Sequence, residues 1–208
     1  IQASGVTDVG QVRSNNQDSF HIDEATQLYV VADGMGGHAG GEIASQICVQ
    51  EVSDHVKGLK LSPSISHPDG SIKSRMIDAV NKASTKIYEK ALEEPNLRGM
   101  GTTATVCYVV DDRAYIAHVG DSRLYLLRCG LIYQMTYDHS LVSEQLRAGI
   151  ISKEEAEVHH LKNVITRSVG YQEEEDVDTF CFPLEKDDGI LICSDGLHGM
   201  VKDKDISQ

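Results

Sequence analysis

The stretch LYVVADGMGG, residues 28–37, joins a short apolar run to an acidic turn that is rich in glycine. Aromatic and β-branched residues in such a run indicate a strand. Asp33 and Gly34 stand where this strand ends, and a strand end delivers its side chain to the rim of a sheet. An aspartate beside a glycine is, taken alone, ordinary turn chemistry. The stretch therefore predicts a strand and a turn, and the role of Asp33 depends on what else reaches the same rim.

Two later apolar runs end in the same way. AHVGDS, residues 117–122, leads to Asp121, and LICSDG, residues 191–196, leads to Asp195. Carboxylates gathered at one rim repel one another and raise one another's pKa unless a cation neutralises them. Oxygen ligands without cysteine or paired histidine favour hard cations such as Mg²⁺ or Mn²⁺. The three strand ends together predict a metal site that includes Asp33.

The glycine-rich turn after Asp33 adds to this prediction, because a backbone without a Cβ can approach a ligand and offer the Gly34 carbonyl as a further oxygen. Two ions roughly 3.5–4 Å apart can turn a shared water into a nucleophile and hold the oxygens of a displacement at phosphorus. Hydrolysis of a phosphate ester is the reaction that this arrangement predicts. A guanidinium could orient the phosphate, since it matches the geometry of two phosphate oxygens. Arg13 is the candidate, although its spacing alone favours a solvated loop charge.

Other segments complete the prediction of secondary structure. Strands are predicted at residues 19–22, 28–32, 103–110, 114–119, 123–127, 177–182 and 189–193. Helices are predicted at residues 42–56 and along an apolar stripe at residues 72–91. Strands followed by helices and then by hairpin strands favour an α+β layered fold over a βαβ repeat. The length of 208 residues fits one domain, residues 1–208.

The composition argues against several classes of partner. The formal net charge of -13 and the pI near 5.0 repel phosphate backbones and anionic lipid headgroups, so we predict neither nucleic acid nor membrane partners. No apolar run approaches the roughly 18 residues that a membrane span requires. The 5 cysteines form an odd count without a Cys-x-x-Cys pair, which argues against disulfides and a thiolate zinc site. A reducing, cytoplasmic location is the prediction.

Taken in order, the motifs resemble those of the type 2C metal-dependent serine/threonine phosphatases, specifically their compact bacterial branch. The resemblance covers nearly the whole chain. Its motifs are residues 10–18 with Arg13 and Asn16, residues 33–37 with His38, Gly41 and Glu42, residues 101–103, residues 120–123, residues 138–140, then Asn163, Val164, Arg167 and Gly170, and residues 194–197. One such motif would be weak evidence, whereas the ordered set is specific.

The resemblance implies a four-layer α-β-β-α sandwich of two antiparallel sheets flanked by helices, with the metals in a cleft at one edge. It implies hydrolysis of phosphoserine and phosphothreonine on proteins at a centre of two core Mn²⁺ or Mg²⁺ ions, with a third ion as in bacterial members. The implied partners are phosphorylated protein substrates and a cognate serine/threonine kinase. We expect the protein to be a monomer.

The resemblance also implies roles for individual residues. Asp33 would bridge both core ions, and Gly34 would ligate one of them through its carbonyl. Asp195 would ligate the first ion, and Asp121 would join it in holding the third. Arg13 would clamp the phosphate.

Two histidines and one segment complete the list of candidates. His38 could give a proton to the leaving alkoxide, because histidine titrates near neutrality. In animal relatives the acid histidine directly follows the Asp-Gly pair, where this chain has Met35, so the identity of the acid stays open. His139 is expected to fix a turn by hydrogen bonding. Residues 148–161 would form a mobile flap beside the cleft.

The chain departs from the family pattern in two places. Gln17 stands where the family often has glutamate, so support of the metal waters depends on Asp18 alone. Family members continue to a further helix and strand that an Asp-Asn pair precedes, and the chain as given ends at Gln208 without them. We therefore expect a domain that is incomplete at its C-terminus. The alternative function is a metal-binding regulatory or sensing module of the same fold without turnover.

Overall fold

The computed structural model describes residues 1–37, 39–57 and 68–206. Its strands are β1 (Asp18–Asp23), β2 (Leu28–Met35), β3 (Gly101–Thr102), β4 (Ala104–Val110), β5 (Arg113–Val119), β6 (Arg123–Arg128), β7 (Leu131–Gln134), β8 (Asp178–Pro183) and β9 (Gly189–Cys193). Its helices are α1 (Gly40–Lys57), α2 (Pro68–Glu93), α3 (Leu141–Arg147), α4 (Lys153–Glu157), α5 (Asp195–His198) and α6 (Asp203–Ile206), and a 3₁₀ helix spans Pro95–Leu97. None of the described helices is long and apolar enough to cross a lipid bilayer.

The strands form two antiparallel sheets. The larger has the order β1-β2-β4-β5-β8, with β3 also paired to β2, and the smaller has the order β7-β6-β9. β4 and β5 form the expected hairpin, in which Ala104 lies opposite Val119. The two antiparallel sheets expected from the sequence are confirmed.

One face of the larger sheet packs against α1 and α2. Leu28, Val30 and Ala32 of β2 are buried and alternate with more exposed neighbours. Since successive side chains of a strand point to opposite faces, these three lie on the same face. The apolar stripe of α2 packs into this core as the sequence predicts, through Ile72, Met76, Ala79, Val80, Ala83 and Ile87.

A second core fills the space between the two sheets. Cys107 and Ile116 of the larger sheet pack there with Leu124 of the smaller sheet. β4 and β5 are therefore buried on both faces, which explains why their sequences are continuous apolar runs rather than alternating ones. On the smaller sheet, α5 contacts β9 and α6 contacts β7. The layers thus follow the expected order of helices, sheet, sheet and helices.

Sequence analysis did not predict β7. Leu131 and Tyr133 of this strand are exposed, and so is Gln134. β7 is an edge strand of only 4 residues with little buried surface, so its short Leu-Ile-Tyr run lies at the lower limit of the strand length that a sequence pattern can reveal.

His118 of β5 is fully buried and hydrogen-bonded through both ring nitrogens. Nε2 lies 3.1 Å from the carbonyl oxygen of Tyr137, so Nε2 carries the proton and donates it. Nδ1 lies 3.0 Å from Thr105 Oγ1 and accepts from that hydroxyl. Burial, together with the nearby His139, lowers the pKa of His118 to about 4. The folded protein therefore holds His118 in its neutral form at neutral pH.

This burial predicts a loss of stability in acid. The pKa of His118 in the folded protein lies below the 6.5 of a free histidine, so the unfolded chain takes up a proton first as the pH falls. Between pH 7 and pH 5 we expect His118 to lower the free energy of unfolding by about 2 kcal/mol. Urea unfolding at both pH values should show that His118→Gln removes this part of the pH dependence. His160→Gln, at an exposed position, is the control for loss of an imidazole. An unchanged pH dependence in His118→Gln would contradict the prediction.

Candidate metal centre

The ends of β1 and β2 place two carboxylates side by side. Asp18 and Asp33 are directly opposed partners in the register of these antiparallel strands. Burial raises the pKa of Asp33 to about 8, and the negative charges of Asp18, Asp195 and Asp121 and a hydrogen bond with Asp18 contribute to the shift. Asp18 Oδ2 also accepts a hydrogen bond from Ser194 Oγ at 2.8 Å. The structure therefore brings the end of β9 against the ends of β1 and β2.

Asp121 belongs to the same group. Burial, together with the neighbouring charges of Asp195 and Asp138, raises the pKa of its carboxyl to about 6. Asp195 is exposed at the start of α5, directly after β9. The three strand-end aspartates of the sequence analysis thus influence one another electrostatically, as expected for carboxylates at one rim.

The centre consists of oxygen donors that repel one another. Within the described ranges, no three acidic, histidine or cysteine side chains already converge closely enough to hold an ion. The raised pKa values of Asp33 and Asp121 are the observation that fits a divalent cation, because a positive charge would offset both the burial and the repulsion that raise them. Carboxylate and carbonyl donors suit Mn²⁺ and Mg²⁺.

Gly34 occupies a position where no side chain fits. A Cβ at this residue would lie 1.9 Å from the carbonyl oxygen of Gly41, at the start of α1. The Gly34 N–H donates to the carbonyl oxygen of Gln17 at 3.0 Å. The turn at residues 33–37, hereafter the metal loop, is therefore packed closely between β1 and α1.

Threonine side chains fix the backbone of Asp33. Its N–H donates to Thr103 Oγ1 at 2.9 Å, and its carbonyl oxygen accepts from Thr103 N at 2.8 Å and from Thr102 Oγ1 at 3.0 Å. Thr103 Oγ1 also lies 2.7 Å from Ser122 Oγ in a fully buried pair. This pair links the backbone of Asp33 to the residue after Asp121. This link was not predicted from the sequence. Its signal there is a pair of hydroxyl residues, Thr102 and Thr103, at the start of an apolar run.

Two histidines hold the turn that presents Asp121. The Gly120 N–H donates to His139 Nδ1 at 3.1 Å, and the Gly120 carbonyl oxygen accepts from His139 N at 2.8 Å. His198 Nε2 donates to the carbonyl oxygen of Asp121 at 3.0 Å. Gly120 has a φ of +105°, and a Cβ there would lie 2.6 Å from Thr103 Cγ2. His139 thus hydrogen-bonds a turn, as the sequence analysis expected.

Arg13 lies exposed beside the metal loop. It lines a cavity of about 180 Å³ together with Ser14, Asn15, Gln17 and Gly36. Gln17 Nε2 donates to the carbonyl oxygen of Gly36 at 3.3 Å, so the loop that carries Arg13 is tied to the metal loop. Among the residues that the structure describes, none forms a hydrogen bond or ion pair with the Arg13 guanidinium, which can therefore meet an anion in the cavity.

The remaining candidates are placed as follows. His38 lies outside the described residues. Residues 148–161 contain α4, whose first turn is closed by a capping box between Ser152 and Glu155. Part of this segment, Lys153–Glu157, therefore forms a capped helical turn.

Comparisons with known proteins agree with this geometry. The family model described as protein phosphatase 2C matches residues 10–207. The serine/threonine phosphatase stp of Listeria innocua is 39% identical over 205 residues, which are 97% of this chain and 80% of the relative. The structure of the S. agalactiae serine/threonine phosphatase superposes with a TM-score of 0.88 at 38% identity, covering 97% of this chain and 82% of that chain. The structure of the catalytic domain of the phosphatase PstP in complex with 2 manganese ions superposes with a TM-score of 0.81 at 35% identity. This match covers 95% of this chain and 79% of that chain.

The chain belongs to the protein phosphatase 2C family. The expected class of enzyme, a metal-dependent protein phosphatase, is confirmed, and phosphorylated proteins are its substrates. The alternative of a sensing module without turnover is not favoured, because similar bacterial proteins are named as phosphatases.

Proposed function

We propose that this protein removes phosphate from phosphoserine and phosphothreonine of other proteins at a centre built on Asp33. The observation that carries the proposal is the raised pKa of Asp33, caused by burial and by three other carboxylates that meet its strand end. When bound, two Mn²⁺ or Mg²⁺ ions would supply the positive charge that activates a water and stabilises the displacement at phosphorus. The Mn²⁺ complex of the similar PstP domain supports this choice of ion.

Each residue of the centre has a proposed task. Asp33 would hold the two core ions together with Gly34, which has no room for a side chain and would offer its carbonyl oxygen. Asp195 would help to hold the first ion, and Asp195 and Asp121 would hold a third. Asp18, hydrogen-bonded to Ser194, supports the waters of the centre. His38 gives a proton to the leaving alkoxide.

The biological setting is proposed from the same features. The substrates are phosphorylated by a cognate serine/threonine kinase, whose effect this enzyme reverses. Residues 1–208 belong to a single catalytic domain, and the protein acts as a monomer. The net charge of -13 and the unpaired cysteines support a cytoplasmic enzyme that binds neither nucleic acid nor membranes.

Release of phosphate from a phosphothreonine peptide tests the activity. We expect release that depends on added Mn²⁺ and stops when the ion is chelated. Repeating the assay with Mg²⁺ in place of Mn²⁺ shows which of the two ions supports phosphate release. A protein that binds Mn²⁺ but releases no phosphate from phosphothreonine or phosphoserine peptides would contradict the proposal and support the sensing alternative.

Replacement of Arg13 tests the proposed contact with phosphate. We expect Arg13→Ala to raise KM for a phosphopeptide about 30-fold, equivalent to ~2 kcal/mol, because a charge-assisted bidentate contact is lost. Arg13→Lys should have an intermediate KM, since lysine keeps the charge but not the planar fork. Steady-state kinetics with the exposed control Arg75→Ala, which removes an equal charge from α2, check the effect. Equal KM values for Arg13→Ala and the control would refute the assignment.

A further inference from the structure

We infer that His139 is a positioning residue for the metal ligand Asp121, with its ring held by Asp178 and Arg167. This inference rests on the proposed role of Asp121 in the metal centre. His139 is 1% exposed and lies on the segment between β7 and α3, away from the metal loop in sequence. Its Nδ1 and its backbone N–H nevertheless both bond Gly120, in the turn before Asp121.

The hydrogen bonds fix the tautomer of the ring. A backbone N–H can only donate, so His139 Nδ1, which receives the Gly120 N–H at 3.1 Å, must be unprotonated. The ring proton is therefore on Nε2, which lies 3.1 Å from Asp178 Oδ2 and donates to it. Burial lowers the pKa of His139, which favours this neutral ring. The imidazole thus joins a carboxylate on one side to a backbone amide on the other.

Asp178 is itself held in place. Arg167 Nη1 donates to Asp178 Oδ1 at 3.0 Å and to the carbonyl oxygen of Asp176 at 3.2 Å. Asp178 opens β8 and lies opposite His118 of β5 in the larger sheet. The support for His139 therefore comes from a paired strand rather than from a free loop.

The effect of this support reaches Asp121 through Gly120. The N–H and the carbonyl oxygen of Gly120 both bond to residue 139, so the two peptide groups that flank Gly120 are each held by a hydrogen bond. Gly120 has a positive φ, and an added Cβ would lie 2.6 Å from Thr103 Cγ2, so this tightly packed turn requires glycine. A fixed backbone limits the directions in which the Asp121 carboxylate can point, and preorganised ligands bind metal more tightly.

Calorimetric titration of the protein with Mn²⁺ tests the inference. Asp121→Asn should remove one Mn²⁺-binding step. We expect His139→Leu to weaken the affinity of that same step by about 10-fold, which is the scale for loss of an outer hydrogen-bond partner of a metal site. His139→Asn should retain most of the affinity, because its amide oxygen can accept from the Gly120 N–H. In an Asp121→Asn background, His139→Leu should leave the remaining Mn²⁺ binding unchanged.

Each other outcome has a separate meaning. Equal weakening of all Mn²⁺ binding by His139→Leu, in both backgrounds, would show general structural damage and overturn the inference. Unchanged binding in His139→Leu where Asp121→Asn has an effect would also overturn it, while leaving the proposed metal centre intact. No effect of Asp121→Asn would remove Asp121 from the centre, and the inference would fall with that assignment.

The tautomer gives a readout that does not depend on metal. Nitrogen-15 chemical shifts of the His139 ring should show the proton on Nε2 in the metal-free protein. The measurement is made at a pH of about 7.5, which is above the ordinary pKa of histidine. Asp178→Asn should change these shifts while His139 remains bonded to Gly120. A proton on Nδ1 in the native protein would refute the arrangement.

Discussion

Asp33→Asn should abolish Mn²⁺-dependent release of phosphate from a phosphothreonine peptide, with a loss of about 1,000-fold or more in kcat. The reason is that this variant removes the charge of the carboxylate proposed to bridge both core ions. Single-turnover and steady-state assays at saturating Mn²⁺ measure the loss. Asp54→Asn, which removes an equal charge from the exposed face of α1, should retain activity. Full activity in Asp33→Asn would end the proposed mechanism.

The stability of the same variant separates a lost ligand from a damaged fold. Since the folded pKa of Asp33 is raised from 3.8 to about 8, ionisation of Asp33 destabilises the metal-free protein increasingly as the pH rises between these values. Metal-free Asp33→Asn should therefore be more stable than wild type at pH values above about 8, with a difference that shrinks in acid. Urea unfolding with a chelator present measures this. A variant less stable than wild type at every pH would point to misfolding.

Gly34→Ala should unfold the rim of the larger sheet rather than only impair the chemistry. The added Cβ would meet the Gly41 carbonyl oxygen at 1.9 Å and its carbonyl carbon at 2.4 Å, and these are backbone atoms that cannot rotate away. We expect the free energy of unfolding to fall by ~3 kcal/mol or more, at the upper end of overpacking effects, with loss of Mn²⁺ binding. Chemical denaturation and Mn²⁺ titration are the measurements.

The metal loop provides its own control for this substitution. Gly37 is exposed, and a Cβ there would have no atom within 4 Å. Gly37→Ala should change the free energy of unfolding by about 0.5 kcal/mol or less. If both alanine variants were equally stable, the close packing of Gly34 against α1 would not constrain the fold.

The sequence predicts the sheets because buried strands and helix faces require apolar residues at regular spacings. The double-sided burial of β4 and β5 requires apolar residues throughout, and the stripe of α2 repeats at helical spacing. The gathering of Asp33, Asp121 and Asp195 could be anticipated because each follows an apolar run. β7 could not, since it has only 4 residues and most of them are exposed.

The supporting contacts of the centre were harder to predict than its carboxylates. Threonine and serine are common near strand ends, so neither Thr103 nor Ser122 stands out in the sequence. The two hydroxyls meet because β4 pairs with both β2 and β5. The bond from Ser194 to Asp18 likewise depends on how β9 meets β1. These contacts arise from tertiary arrangement and have no local sequence signal.

The bond between Ser194 and Asp18 joins residues separated by 176 positions. Closing so long a loop costs chain entropy, and contacts between residues far apart in sequence make folding slow. On the ribosome, Asp18 and Asp33 are made long before β9 leaves the exit tunnel. The carboxylates can therefore share an ion only after β9 has been made, which favours a metal that loads late in folding.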